Sequence, residues 1–342
     1  METDRQAASS LPQPTATPGS WIAAFICLAT FLVLYLFTGY SSGYGEVIDD
    51  RVVFTRASLF TTMLADYKRD DGEWGFGYFV PLAVIGLFWF KRRELLSTPV
   101  QPAPVLGAVI LGFAFLVYWA GYRGEQKYFG YAAGQLIILG AIFWFLGWPW
   151  FRKTFWLWVL IGMMWPWRFL IGRISSPLQL VMAKLTAKFL SLFGIGTDQS
   201  GSAVMTDTRD PVTNAFINMD IDVACSGMRS LFALIMIGIV FAFLRLNVDW
   251  KRWVLMACVP LVAIAGNFIR MVILYVGSRT WGSEFAIGKD HNHMSGYHLF
   301  AGLMVFVVAL ILLSIIVEVL NNGLRAFKRS RVVRKQVAPD HT

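Results

Sequence analysis

The sequence predicts an all-α integral membrane protein. About eight transmembrane helices are expected, with an extracytoplasmic amphipathic helix and a short β-like segment ahead of Cys225. Three observations carry this reading. Of 342 residues, 56% are hydrophobic and only 15% charged, whereas soluble domains run at ~45–50% apolar and ~25% charged. Mean hydropathy is +0.57, more apolar surface than one soluble core can hide. Several uninterrupted apolar runs approach the ~20 residues that span a bilayer. Finally, many of the Lys and Arg residues cluster at the ends of those runs, the usual mark of membrane topology. The net charge of +9 is therefore read as a topology signal, and nucleic acid is set aside as a partner.

Residues 1–19 are rich in Ser, Thr and Pro and read as a disordered cytoplasmic tail. They lack a basic n-region, so the apolar run at 20–39 is expected to remain as an anchor rather than to be cleaved as a signal peptide. Spans are expected near 20–39, 75–90, 103–120, 131–150, 154–172, 226–245, 253–276 and 298–320. Residues 20–320 then form one polytopic domain without a visible long repeat or a separate soluble domain, and 321–342 form a basic cytoplasmic tail. Trp and Tyr collect at span ends, as in the two "WPW" stretches at 148–150 and 165–167 and at Tyr40, where an aromatic belt belongs.

If the spans alternate, Lys91-Arg92-Arg93, Arg152-Lys153, Arg245, Lys251, Arg252 and the tail from Arg325 to Lys335 fall on one side. The positive-inside rule makes that side the cytoplasm, with both termini inside. Arg51, Arg56, Arg123 and Lys127 fall on the other side, so the bias is incomplete. The opposite loops hold most of the acids, among them Asp66, Asp207, Asp210, Asp220 and Asp222.

Two segments depart from the spanning pattern. In 177–196, Leu178, Val181, Leu185, Phe189 and Leu192 recur at helical spacing, with Lys184 and Lys188 one turn apart. This suggests an amphipathic helix on the outer face. A ninth span is the alternative, and it puts either Cys225 or the basic tail on the wrong side. In 212–224, apolar and polar residues alternate through Ile217, Met219, Ile221 and Val223, which suggests a short strand or hairpin leading to the cysteine.

Of the three cysteines, Cys27 and Cys258 lie within apolar runs, where the residue behaves as a small hydrophobe. Only Cys225 stands at a polar boundary. Asp222 can cap the following helix, which places the thiol near its third position, at the positive end of the helix dipole. Both that field and Arg229, one turn on, favour thiolate. Ser226 and Gly227 leave space for a substrate backbone. A small helix-start cysteine beside a snorkelling arginine accounts for the same residues.

Asn267 and Arg270 lie three apart on one helical face inside an apolar run. An intramembrane arginine usually faces a polar cavity or a partner, although one this far along the helix can also snorkel outward. His291, His293 and His298 cluster before and at the start of the last span. A metal site would want further ligands, with Asp290 the only near acid. Headgroup-level loop histidines and an acid–base partner for a thiol are the other readings. Topology brings a Cys, an Arg and a His to one side of the membrane, a set suited to acyl transfer.

The stretches "ACSGMRS", "NFIR" and "HLFAG" resemble the exosortase/archaeosortase family of membrane transpeptidases, over roughly residues 75–320. The resemblance implies Cys225 as nucleophile, Arg270 as the family's arginine and His298 as its third residue. The histidine points to the bacterial exosortase branch. His298 is preferred because it starts the span and has Gly302 four residues on. The resemblance further implies membrane-anchored protein substrates with a C-terminal sorting tail, made of a Pro-Glu-Pro-type motif, a transmembrane segment and a basic cluster. Cutting passes the acyl group to an unknown acceptor nucleophile. It implies a bacterial inner-membrane location with an extracytoplasmic site, an association with exopolysaccharide production, and no cofactor. A non-catalytic transporter or polysaccharide-export component is the competing reading. A metal-dependent intramembrane protease is disfavoured, since no His-Glu-x-x-His pattern is present.

Overall fold

The structure is a computed structural model that describes residues 18–42, 46–48, 51–53, 56–68, 74–220, 228–290 and 293–323. The two predicted tails fall mostly outside these residues. The chain forms two compact units, residues 1–166 and 167–342.

In the first unit, α1 (Pro18–Leu32) runs on as a π-helical turn over Val33–Phe37. Two short antiparallel strand pairs follow, β1 (Gly39–Ser42) with β4 (Arg56–Ser58) and β2 (Glu46–Ile48) with β3 (Arg51–Val53). Then come α2 (Leu59–Tyr67), α3 (Val80–Leu96), α4 (Pro104–Arg123), α5 (Lys127–Phe145) and α6 (Trp148–Gly162). Three of these helices carry proline in the first turn. There the missing N–H is no loss and the fixed φ already suits a helix.

Helices α4 and α5 form a tight hairpin. Gly107 is pressed so close to Trp144 that a Cβ would lie 2.7 Å from its Cα. Small residues of this kind let apolar helices approach where no hydrophobic drive acts between them. Several of the unit's buried polar groups are matched within it. Tyr35 donates to the Gly130 carbonyl at 2.7 Å, and Tyr40 to the Tyr118 carbonyl at 2.8 Å. The Gln135 side chain donates to the Trp158 carbonyl and accepts from the Trp165 indole. Lys127 donates to both oxygens of the buried Asp66 carboxylate, at 2.8 and 3.0 Å. In an apolar medium each unmatched polar group costs several kcal/mol, so such pairing is what lets these residues sit inside.

The second unit opens with α7 (Arg168–Leu192), followed by a three-stranded antiparallel sheet in the order β5 (Thr197–Ser200), β6 (Ala203–Arg209), β7 (Phe216–Asp220). Next are α8 (Met228–Arg245), α9 (Asp249–Trp281), the single turn α10 (Ser283–Ala286), a small strand pair β8 (Gly288–Asp290) and β9 (His293–Met294), and α11 (Gly296–Asn322). Val204, Ile217 and Met219 from one sheet face pack with Met182 and Leu190 of α7 and Met271 and Tyr275 of α9. Their period-two alternation with exposed Met205 and Phe216 is that of a half-covered sheet. The predicted alternation at 212–224 falls on β7 over Phe216–Asp220, while Ile221 and Val223 lie outside the described residues. Strands β5 and β6 were not expected.

Among the described residues, four helices are long and apolar enough to cross a membrane: α4, α5, α9 and α11. Ile22–Phe37 and Ser230–Arg245 are apolar but shorter. The expected helix at 154–172 is interrupted. Helix α6 ends at Gly162, and α7 begins at Arg168, because Pro166 disfavours helix at the residue before it and cannot donate within one. The amphipathic segment expected at 177–196 is accordingly the later part of α7, which passes through Pro177 without ending.

Candidate active site

The last two long helices build the site. Helix α9 buries Leu255, Val259, Val262, Gly266, Asn267, Met271 and Leu274, and α11 buries His298, Ala301, Val305, Ala309, Leu313 and Val317. Both series follow the three- and four-residue steps of one helical face. The stripes meet in antiparallel register. A Cβ at Gly266 would lie 2.9 Å from Val305, Arg270 reaches His298, and Tyr297 donates to the Ile273 carbonyl at 3.1 Å.

At this seam the Arg270 Nη2 and His298 Nε2 are hydrogen-bonded across 28 residues of sequence. A guanidinium nitrogen only donates, so Nε2 accepts and the neutral ring carries its hydrogen on Nδ1. That Nδ1 is buried and has no hydrogen-bond partner among the described residues. His298 is 3% exposed, as is Asn267 one turn before Arg270.

The backbone holds His298 in place from its own helix. Ser295 caps α11: its hydroxyl accepts from the His298 N–H at 3.0 Å and donates to the Ala286 carbonyl at 3.0 Å. The other end of α10 is held by Asp210, whose carboxylate accepts from the Ser283 N–H, as well as from the N–H groups of Val212 at 2.8 Å and Thr213 at 3.0 Å. Burial works to raise the pKa of Asp210, but these backbone donors outweigh it and hold the carboxyl well below the usual range. The β6–β7 turn, α10 and the start of α11 are thus linked through two side chains. The sequence reading missed both. A Ser three residues before His298, at the edge of an apolar run, is a legible cap signal. Asp210-Pro211 marks a turn but gives no hint of its contact with Ser283.

The structure therefore brings together Arg270 and His298, with Asn267 beside them. Asp222, Cys225, Ser226 and Gly227 lie outside the described residues. Arg229 is in the first turn of α8, immediately after them, and only its backbone is described. His291 lies outside the described residues, and His293 is described only as backbone in β9. Cys27 and Cys258 are free and partly buried within helices.

Long apolar helices with an Arg–His contact at the seam between two of them define a polytopic membrane protein with a polar pair set into a helix seam. A family model described as Transmembrane exosortase (Exosortase_EpsH) matches residues 68–315. The chain belongs to this family. Comparison with curated proteins and with solved structures returned no match.

Proposed function

We propose that the chain is a membrane cysteine protease or transpeptidase that cleaves C-terminal sorting tails of the Pro-Glu-Pro type from secreted proteins. The observation that carries this reading is the Arg270–His298 contact. Two of the three residues matched to the family's machinery, on separate helices, meet inside the fold.

Cys225 Sγ, as thiolate, attacks the peptide carbonyl carbon, and the carbonyl electron pair moves to oxygen. The Arg270 guanidinium steadies that oxyanion. The His298 Nε2 lone pair, released as Arg270 turns from the imidazole to the substrate oxygen, takes the thiol proton and passes it to the leaving amine as the C–N bond breaks. The protein remains as a thioester on Cys225. An acceptor nucleophile attacks the thioester, its proton goes to His298, and the thiolate leaves. Asp222 as cap and Arg229 as a nearby cation favour the thiolate, Ser226 and Gly227 give the peptide room, and Asn267 orients Arg270 or the substrate. Eight spans, a bacterial inner-membrane location, cytoplasmic termini and an extracytoplasmic site complete the reading, as does a link to exopolysaccharide production.

The test is processing of a co-expressed secreted reporter that carries the three-part tail. Cys225→Ala and Cys225→Ser are expected to accumulate at the parent level and leave the reporter uncut. Continued cutting by Cys225→Ala sinks the proposal. A membrane-impermeant thiol reagent should label Cys225 at a pH well below ~8.5, and an inert thiol supports a non-catalytic transporter instead.

A further inference from the structure

A cavity of about 270 Å³ lies between α7, α8 and α9 in the second unit. Leu178 and Val181 of α7, Leu231 of α8, and Pro260, Ala263 and Asn267 of α9 are among its walls. Every lining residue except Asn267 is apolar. The floor is buried, with Ala263 at 5% and Asn267 at 3% exposure, while the rim at Val181 is 45% exposed. The opening therefore faces the surface of the unit. Two prolines inside helices, Pro177 and Pro260, line it. Each removes a ladder hydrogen bond and opens its helix locally, which accounts for a void between otherwise packed helices.

The position is more telling than the volume. Asn267 on the floor is one turn before Arg270, a rise of about 4.5 Å at ~1.5 Å per residue. Leu231 is in the first turn of α8, and only Ser226 and Gly227 separate that helix from Cys225 in the chain. Whatever enters the cavity is held about one helical turn from Arg270. A dry apolar cavity of about 150 Å³ accommodates a benzene ring, so this one has room for a single bulky apolar side chain. Asn267 is the one polar residue among its walls.

We propose that this cavity is a specificity subsite, which takes one bulky apolar side chain of the peptide substrate next to the bond that is cut, from the membrane-embedded part of its tail. The proposal rests on the cysteine-transpeptidase reading above. It makes Ala263, Leu178 and Leu231 determinants of which tails are accepted.

Two measurements test it on the full-length protein in membranes. The first uses tailed reporters with Gly, Leu or Trp at each position around the junction of motif and transmembrane segment. Ala263→Phe fills the floor and should lower the Leu-to-Gly processing ratio at one junction position about tenfold, the scale of a misfit of about one methylene in an apolar pocket. Leu178→Ala enlarges the cavity and should raise the Trp-to-Leu ratio at that same position. Ratios that stay at the parent values in both variants overturn the proposal. The second places photo-leucine at that position and irradiates the Cys225→Ser protein, which retains substrate without turnover. Cross-links to α7 and α9 near Leu178 and Ala263 support the subsite. Cross-links elsewhere, with lipid as the adduct at these residues, overturn it. Reporter cutting by Cys225→Ser would instead remove the transpeptidase reading, and the cross-linking result would still decide the cavity's occupant.

Discussion

At the scale of single residues, the Arg270–His298 contact makes the sharpest demands. A guanidinium is planar and offers several donors in fixed directions, whereas an ammonium is a point charge on a flexible stem. Arg270→Lys keeps the charge but loses the planar donor set that bonds the imidazole and, in the proposed mechanism, the oxyanion. Processing is expected to fall at least ~100-fold, the scale of removing one oxyanion donor, and near-parental processing by the lysine variant would speak against that role. In the proposed mechanism Ser295 acts through His298, from whose backbone N–H its hydroxyl accepts, rather than on the substrate. Ser295→Ala removes a cap worth about 1 kcal/mol and frees the α11 start, so kcat should drop ~10- to 100-fold from misplacement alone, with KM little changed. Ser295→Thr should restore most of it, and a change confined to KM would contradict the assignment. Arg270 was legible in the sequence because a charged residue inside an apolar run is costly and needs a partner; His298 was picked out by the family resemblance, from its place at the start of the span with Gly302 four residues on. Their direct pairing was not legible, since it depends on the register between α9 and α11, set by the close approach at Gly266.

At the scale of elements, the corner between α8 and α9 is built on one side chain. Arg252 Nε donates to the carbonyls of Ala242 at 3.1 Å and Leu246 at 2.8 Å, and Nη1 to Asp249 at 3.1 Å. It satisfies carbonyls at the end of α8 that the helix cannot pair itself and places a cation at the negative end of the dipole. Its place in a basic cluster made it readable as a topology marker; its structural work was hidden, because the carbonyls it serves lie at the end of α8 and in the residue just after it. Arg252→Met keeps the apolar stem and removes these bonds. The expected loss is about 2–3 kcal/mol of stability, seen as a lower denaturation midpoint in detergent, and an unchanged midpoint would rule out this cap as a support. The helices themselves were legible because burial in lipid leaves a long hydropathy signal. The break at Pro166 was not, since "MMWPWRF" stays apolar and aromatic across it. Strands β5 and β6 were overlooked because "TDQSGSAVMTDTR" is mostly polar, with only Val204 and Thr206 turned inward.

At the scale of the whole molecule, one carboxylate ties acid stability to the candidate site. Asp210 has a depressed native pKa, so its contribution is complete above the unfolded value of 3.8 and drains away as pH falls below it. The parent protein should lose stability between about pH 4 and pH 2, while Asp210→Asn should be weaker at pH 7 and flatter across that acid limb. Parallel melting curves for the two proteins over this range would remove Asp210 from the account. Legibility was best at this scale, because composition alone set the membrane class and the family match followed it. The 15 residues of α6 carry a last consequence. Such a helix is about 22 Å long at ~1.5 Å per residue, against a hydrocarbon core of ~30 Å. Taken as a span, it is mismatched to an average bilayer. The lipid must thin around it, or Trp148, Arg152 and Lys153 must reach outward to the interface. Acyl-chain length then becomes a variable of the protein, with thinner membranes favouring the conformation in which both ends of α6 are hydrated.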